Sequence, residues 1–101
     1  MSADITYDTS TYVISKVANR SLTITGVTIA TKAENRKYNT YYSQTKKTCK
    51  VTCNYQDVSS LLTPLGTVEI VRKDAYQQFK WNHSNGIYGG EGGYGYADTS
   101  F

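Results

Sequence analysis

Thr48-Cys49-Lys50-Val51-Thr52-Cys53-Asn54-Tyr55 is the stretch that decides the fold class. Cys49, Val51, Cys53 and Tyr55 alternate with Thr48, Lys50, Thr52 and Asn54. A repeat of two is the side-chain period of a β-strand, so the apolar residues share one face and the polar residues the other. One dry and one wet face is the pattern of an antiparallel strand at the edge of a core.

Upstream, Tyr38 to Ser43 has the same chemistry and joins this strand through a short connection. Thr31 to Lys37 is polar and charged and reads as a loop or one helical turn. Ser21 to Thr31 reads as a strand whose phase changes: Leu22 and Ile24 share one parity, Val27 and Ile29 the other. A bulge or bend at Gly26 resolves the slip. Tyr12 to Val17 is a further strand, Ala18-Asn19-Arg20 a turn, and Ile5 and Tyr7 mark a short first strand.

Downstream, Asp57-Val58-Ser59-Ser60-Leu61-Leu62 reads as one short helix, capped by Asp57 and ended by Thr63-Pro64. Thr67 to Arg72 is a strand with Val68 and Ile70 together, Lys73-Asp74 a turn, and Ala75 to Asn82 a strand. Asn85-Gly86 signals a hairpin, in which both residues would take positive φ. After Tyr88 the composition shifts to Gly89-Gly90-Glu91-Gly92-Gly93-Tyr94-Gly95-Tyr96. The expectation is a β domain over 1–88 and a Gly/Tyr-rich arm or tail over 89–101.

Ten tyrosines against one each of His, Pro, Met and Trp favour sheet and leave few groups for chemistry. Eight or so short strands in 101 residues give one all-β domain, a small antiparallel sandwich or barrel. From Thr9 to Gln56 eight basic residues face Glu34 alone, while each flank is about −2. That bias suits nucleic acid, an acidic protein surface, or the acidic tail of a neighbouring copy. It also suits lysines that blunt exposed strands. The sequence shows neither a signal peptide nor a run of transmembrane length, so synthesis inside a cell is expected, with use there or in a released particle.

Candidate chemistry is sparse. Residues four apart on a strand lie about 13 Å apart, beyond the roughly 4.4–6.8 Å a disulfide spans, so Cys49 and Cys53 are not expected to pair together. They read as core residues, with an inter-chain disulfide the alternative. His83 sits beside the Asn85-Gly86 turn without a nucleophile motif. The carboxylates Asp4, Asp8, Glu34, Asp57, Glu69, Asp74, Glu91 and Asp98 are scattered, and the glycine run lacks the Gly-Lys-Ser/Thr ending of a phosphate loop. No enzyme activity, cofactor or metal is expected.

Tyr38, Tyr42 and Tyr55 read as core or cross-strand residues. Tyr41, Tyr76, Tyr88, Tyr94, Tyr96 and Phe101 are candidate interface anchors, being large and low in rotamer entropy. Arg36, Lys37, Lys46, Lys47 and Lys50 form a candidate basic face. Gly93-Tyr94-Gly95-Tyr96-Ala97-Asp98-Thr99 is similar to a Gly-Tyr-Gly-x-Ala-Asp-Thr stretch of fungal immunomodulatory proteins, a resemblance of seven residues that implies a signal-less β-sandwich dimer. The composition is also similar to that of small β-sandwich proteins of phage particles.

The function expected is structural: a non-enzymatic subunit of a virion or filament, assembling with its own copies or a partner through edge strands and the Tyr/Gly arm. A small carbohydrate-binding module using Tyr and Trp81 faces is the alternative. A basic nucleic-acid binder using Lys46, Lys47 and Lys50 with Tyr41 and Tyr42 is a third reading.

Overall fold

The computed structural model describes residues 1–24 and 30–101. The described residues form six strands and no helix. These are β1 (Ser2–Tyr7), β2 (Ile14–Ser21), β3 (Ala30–Tyr42), β4 (Thr48–Thr63), β5 (Gly66–Asn82) and β6 (Gly86–Tyr94). β1 and β2 form one antiparallel sheet, and β3-β4-β5-β6 a second in that order. The slip expected at Gly26 lies outside the described residues, as do Val27 and Ile29, and the side chain of Ile70 is likewise not described.

The opening stretch behaves as its alternation dictates. Cys49, Val51, Cys53 and Tyr55 are all buried on one face of β4. Cys49 and Val51 pack with Phe79 and Ile14, against Ile5, Tyr7 and Val17 of the small sheet. Cys53 and Tyr55 pack with Ala33, Ala75 and Leu22. Full burial of a residue such as Val51 is worth roughly 1.5–3 kcal/mol. The two-stranded sheet thus covers part of one face of the four-stranded sheet.

Six strands replace the expected eight because four predicted breaks lie within strands. The short helix is absent: Asp57 to Leu62 lies within β4, paired to β5 throughout and to β3 as far as Ser60. Six residues cannot repay helix nucleation, and two flanking ladders satisfy the same backbone groups more fully. Thr63-Pro64 therefore ends no helix but opens the β4–β5 hairpin, in which Thr63 pairs with Gly66. Lys73 and Asp74 make no turn; they pair with Asp57 and Gln56.

Two expected loops become bulges. Thr31 to Lys37 lies in β3, where the register shifts between Glu34 and Lys37 and Asn35 takes φ 54°. Ala18-Asn19-Arg20 lies in β2, where Asn19 takes φ 51° and the register shifts between Ser2 and Asp4. Asparagine tolerates this conformation better than most side chains, so one residue bends the strand without ending it. Tyr12 belongs to the β1–β2 loop rather than to a strand. The Asp8 carboxylate organises that loop by accepting from the amides of Ser10 and Thr11 at 2.7 and 3.1 Å.

The hairpin signalled by Asn85-Gly86 joins β5 to β6, with a longer connection than expected. Asn82 pairs with Gly86, so His83, Ser84 and Asn85 form the loop and only Gly86 of the two signal residues has positive φ. β6 then runs through residue 88 to Tyr94, and Gly92 pairs with Gln77. A β-carbon at Gly92 would meet the Tyr76 carbonyl oxygen at 3.1 Å, a tight contact that glycine avoids.

Candidate interaction surfaces

β6 ends opposite Ala75, yet β5 extends back to Gly66, β4 forward to Thr63 and β3 back to Ala30. The result is a three-stranded arm, with Ala30 to Glu34, Gln56 to Thr63 and Gly66 to Asp74 side by side. Counting residues along β4 from Tyr55 places Asp57, Ser59 and Leu61 on the core face. Their partners Val71 and Val68 share it. This face is no longer covered: Leu61 is 48% exposed, Val68 54% and Val71 39%. Leu65, at the tip, is fully exposed. A row of apolar side chains thus continues the core outward into solvent.

The other face of the arm is charged. Arg72 bridges Glu34 at 2.8 Å and Glu69 at 2.7 Å, and Lys32 reaches Glu34 at 2.8 Å. Arg72 also donates to Gln56 Oε1 at 2.7 Å. Hydrogen bonds from Lys32 and Arg72 hold the Glu34 carboxyl below its ordinary range. Val58, flanked by its strand partners Lys32 and Arg72, is buried in their midst.

In the body, the face of β4 expected to be wet is covered. Lys50 is 3% exposed and Thr52 0%. The C-terminal segment folds back over them. The Gly95 amide donates to the Asp74 carbonyl at 2.9 Å, and the Ala97 amide to Asn54 Oδ1 at 2.9 Å. Lys50 Nζ donates to the Ser100 carbonyl, and Lys80 Nζ lies 5.1 Å from the centre of the Phe101 ring. Gly95 makes the bend with φ 101°.

The candidate anchors divide. Tyr94 and Tyr96 are largely exposed, and Phe101 is exposed against Lys80. Tyr96 donates to Asp74 at 2.9 Å, which raises its phenol above the ordinary value. Tyr41, Tyr76 and Tyr88 are half-buried, Tyr41 beneath Lys50 and Tyr76 bonded to Glu91 at 3.3 Å. The five basic candidates form no single face. Lys46 and Lys47 are exposed at the β3–β4 turn, and Arg36 and Lys37 sit at the β3 bulge, Arg36 donating to the Leu22 carbonyl. Lys50 is buried.

Cys49 and Cys53 are free thiols in separate core clusters. Burial pushes Cys49 up to about 11 and raises Cys53. His83 stacks on Tyr12 with centroids 4.0 Å apart, and Tyr7 lies 5.0 Å from Trp81. One side of the indole is therefore met by Tyr7. An open groove of about 630 Å³ runs over the core face of β5 and β6. Met1, Tyr55, Phe79, Ile87 and Tyr94 wall it, and the glycines of β6 leave its floor without side chains.

Leu61, Leu65, Val68 and Val71 were not legible as surface because Asp57 to Leu62 reads as helix. The signal that finds them is Thr63-Pro64-Leu65-Gly66, a hairpin turn set between two β-rich segments. No protein-family model, curated protein or solved structure matches the chain.

Proposed function

We propose that the chain is a non-enzymatic structural subunit of the virion or filament type, built as a small antiparallel β-sandwich that self-associates through its arm and open strand edges. One observation carries this reading: the core-face row of Leu61, Val68 and Val71 lies exposed beyond the body, with Leu65 at its end. Contiguous exposed apolar rows on a soluble domain favour association, because they leave water on contact with a second surface. Exposed Tyr94 and Tyr96 supply further anchors near the base of the arm. Docking onto a different protein is the same chemistry with another partner.

The test is molar mass by light scattering after size separation. Wild type is expected to exceed the monomer mass in a concentration-dependent way. Val68→Lys and Leu61→Lys, both on exposed positions, are expected to weaken association about tenfold or more while leaving circular dichroism unchanged. A wild-type protein that stays monomeric at all concentrations overturns the proposal.

A further inference from the structure

The self-association reading can be carried to a specific contact. The outer edge of β5 is paired by β6 only from Ala75 onward. Among the described residues, no strand lies beside it from Gly66 to Lys73. Asp74 closes this open lane, its carbonyl taken by the Gly95 amide. An open edge eight residues long, bearing Val68 and Val71, is a template for another strand.

We infer that the occupant is β5 of a second copy, paired antiparallel about a two-fold axis between residues 70 and 71. The charges and the bulge select this register. Residues that oppose each other in an antiparallel pair must share a face. On a regular strand, self-pairing about a two-fold therefore joins residues an even number apart. Here Ser59 pairs with Val71 but Ser60 with Glu69, so β5 carries one extra residue between them. That bulge puts Glu69 and Arg72 on one face although they are three apart, as their 2.7 Å ion pair requires.

A two-fold between 70 and 71 sets Glu69 opposite Arg72 of the second copy, twice. The same register sets Val68 opposite Lys73 of the second copy on the core face. There the lysine stem can lie along the valine and keep its ammonium in water. The pairing runs over residues 68 to 73 of each copy and stops where the Gly95 amide takes the Asp74 carbonyl, and the apolar rows of the two copies then meet side by side. The pairing is isologous and closes as a dimer.

Charge exchange tests the register on the full-length chain, because Glu69 and Arg72 are exposed and the measurement includes a rescue. Glu69→Arg sets Arg against Arg across the axis, and Arg72→Glu sets Glu against Glu. Each variant alone is expected to raise the dimer dissociation constant about tenfold or more. An equimolar mixture of the two variants is expected to recover wild-type association as a one-to-one heterodimer, since every cross-axis pair is then opposite in sign. Thermal midpoints of the separate variants check that each is folded. If both variants associate as wild type does, or the mixture fails to recover, the pairing is overturned while self-association stands. If wild type itself is monomeric, self-association fails and the pairing with it.

Discussion

Thr52 carries one of the buried side-chain oxygens of the sheet that lack a hydrogen-bond partner among the described residues. It is fully buried at the centre of β4. Leaving a hydroxyl so placed costs about 1–3 kcal/mol. Valine keeps the shape and the strand preference and removes the cost. Thr52→Val is therefore expected to raise the melting temperature by several degrees, about 4–8 °C per kcal/mol for a chain of this size. A midpoint at or below that of wild type shows that the hydroxyl is satisfied. Lys50, two residues earlier, solves a related problem differently. Its stem crosses the buried face and its ammonium ends on the Ser100 carbonyl above the Tyr41 ring. Alternation marked both residues as polar and hence wet. Only the return of the C-terminal segment changes that, and a contact between residues fifty apart leaves no local trace.

Bulges, more than turns, shape the strands. Asn19 takes φ 51° inside β2, and its side-chain Nδ2 donates to Asp4 Oδ2 on β1 at 2.7 Å. A β-branched side chain is strained in that conformation, whereas glycine adopts it freely. Asn19→Val is expected to cost about 1–3 kcal/mol in urea unfolding, and Asn19→Gly much less. Equal losses from both would place the cost in the lost Asp4 contact instead. The same residues explain what the sequence revealed. Strand chemistry at Tyr38 to Tyr42, Thr48 to Tyr55 and Ala75 to Asn82 was legible because period-two alternation survives wherever one face is buried. Ala18-Asn19-Arg20 and Thr31 to Lys37 look like loops because their polar residues and asparagines suit loops and bulges equally. Asp57 to Leu62 misleads because neither of the arm's faces is simple. One is apolar yet exposed at Leu61, while the other buries Val58 among charged side chains.

The molecule as a whole is long. Its Cα radius of gyration is 16.5 Å and its extents are 59 × 21 × 19 Å. A compact chain of about 100 residues has a radius near 13 Å. Small-angle scattering of the Val68→Lys variant, at a concentration where light scattering gives the monomer mass, is expected to give a radius well above the compact value, and a value near 13 Å shows an arm folded onto the body. The contacts that hold the arm are strand ladders, charged on one side and bare on the other, so its ordering is set by pairing more than by burial. The body is held by packing between two layers, and there the chain carries its lone tryptophan. Trp81 on β5 meets Tyr7 on β1 at 5.0 Å, one ring from each sheet. Light absorbed by tyrosine and re-emitted by this indole therefore passes across the seam between the layers. The chain has a built-in optical gauge, seated at the opposite end of β5 from the arm. A parting of the small sheet from the large one removes Tyr7 from the indole and lowers that transfer.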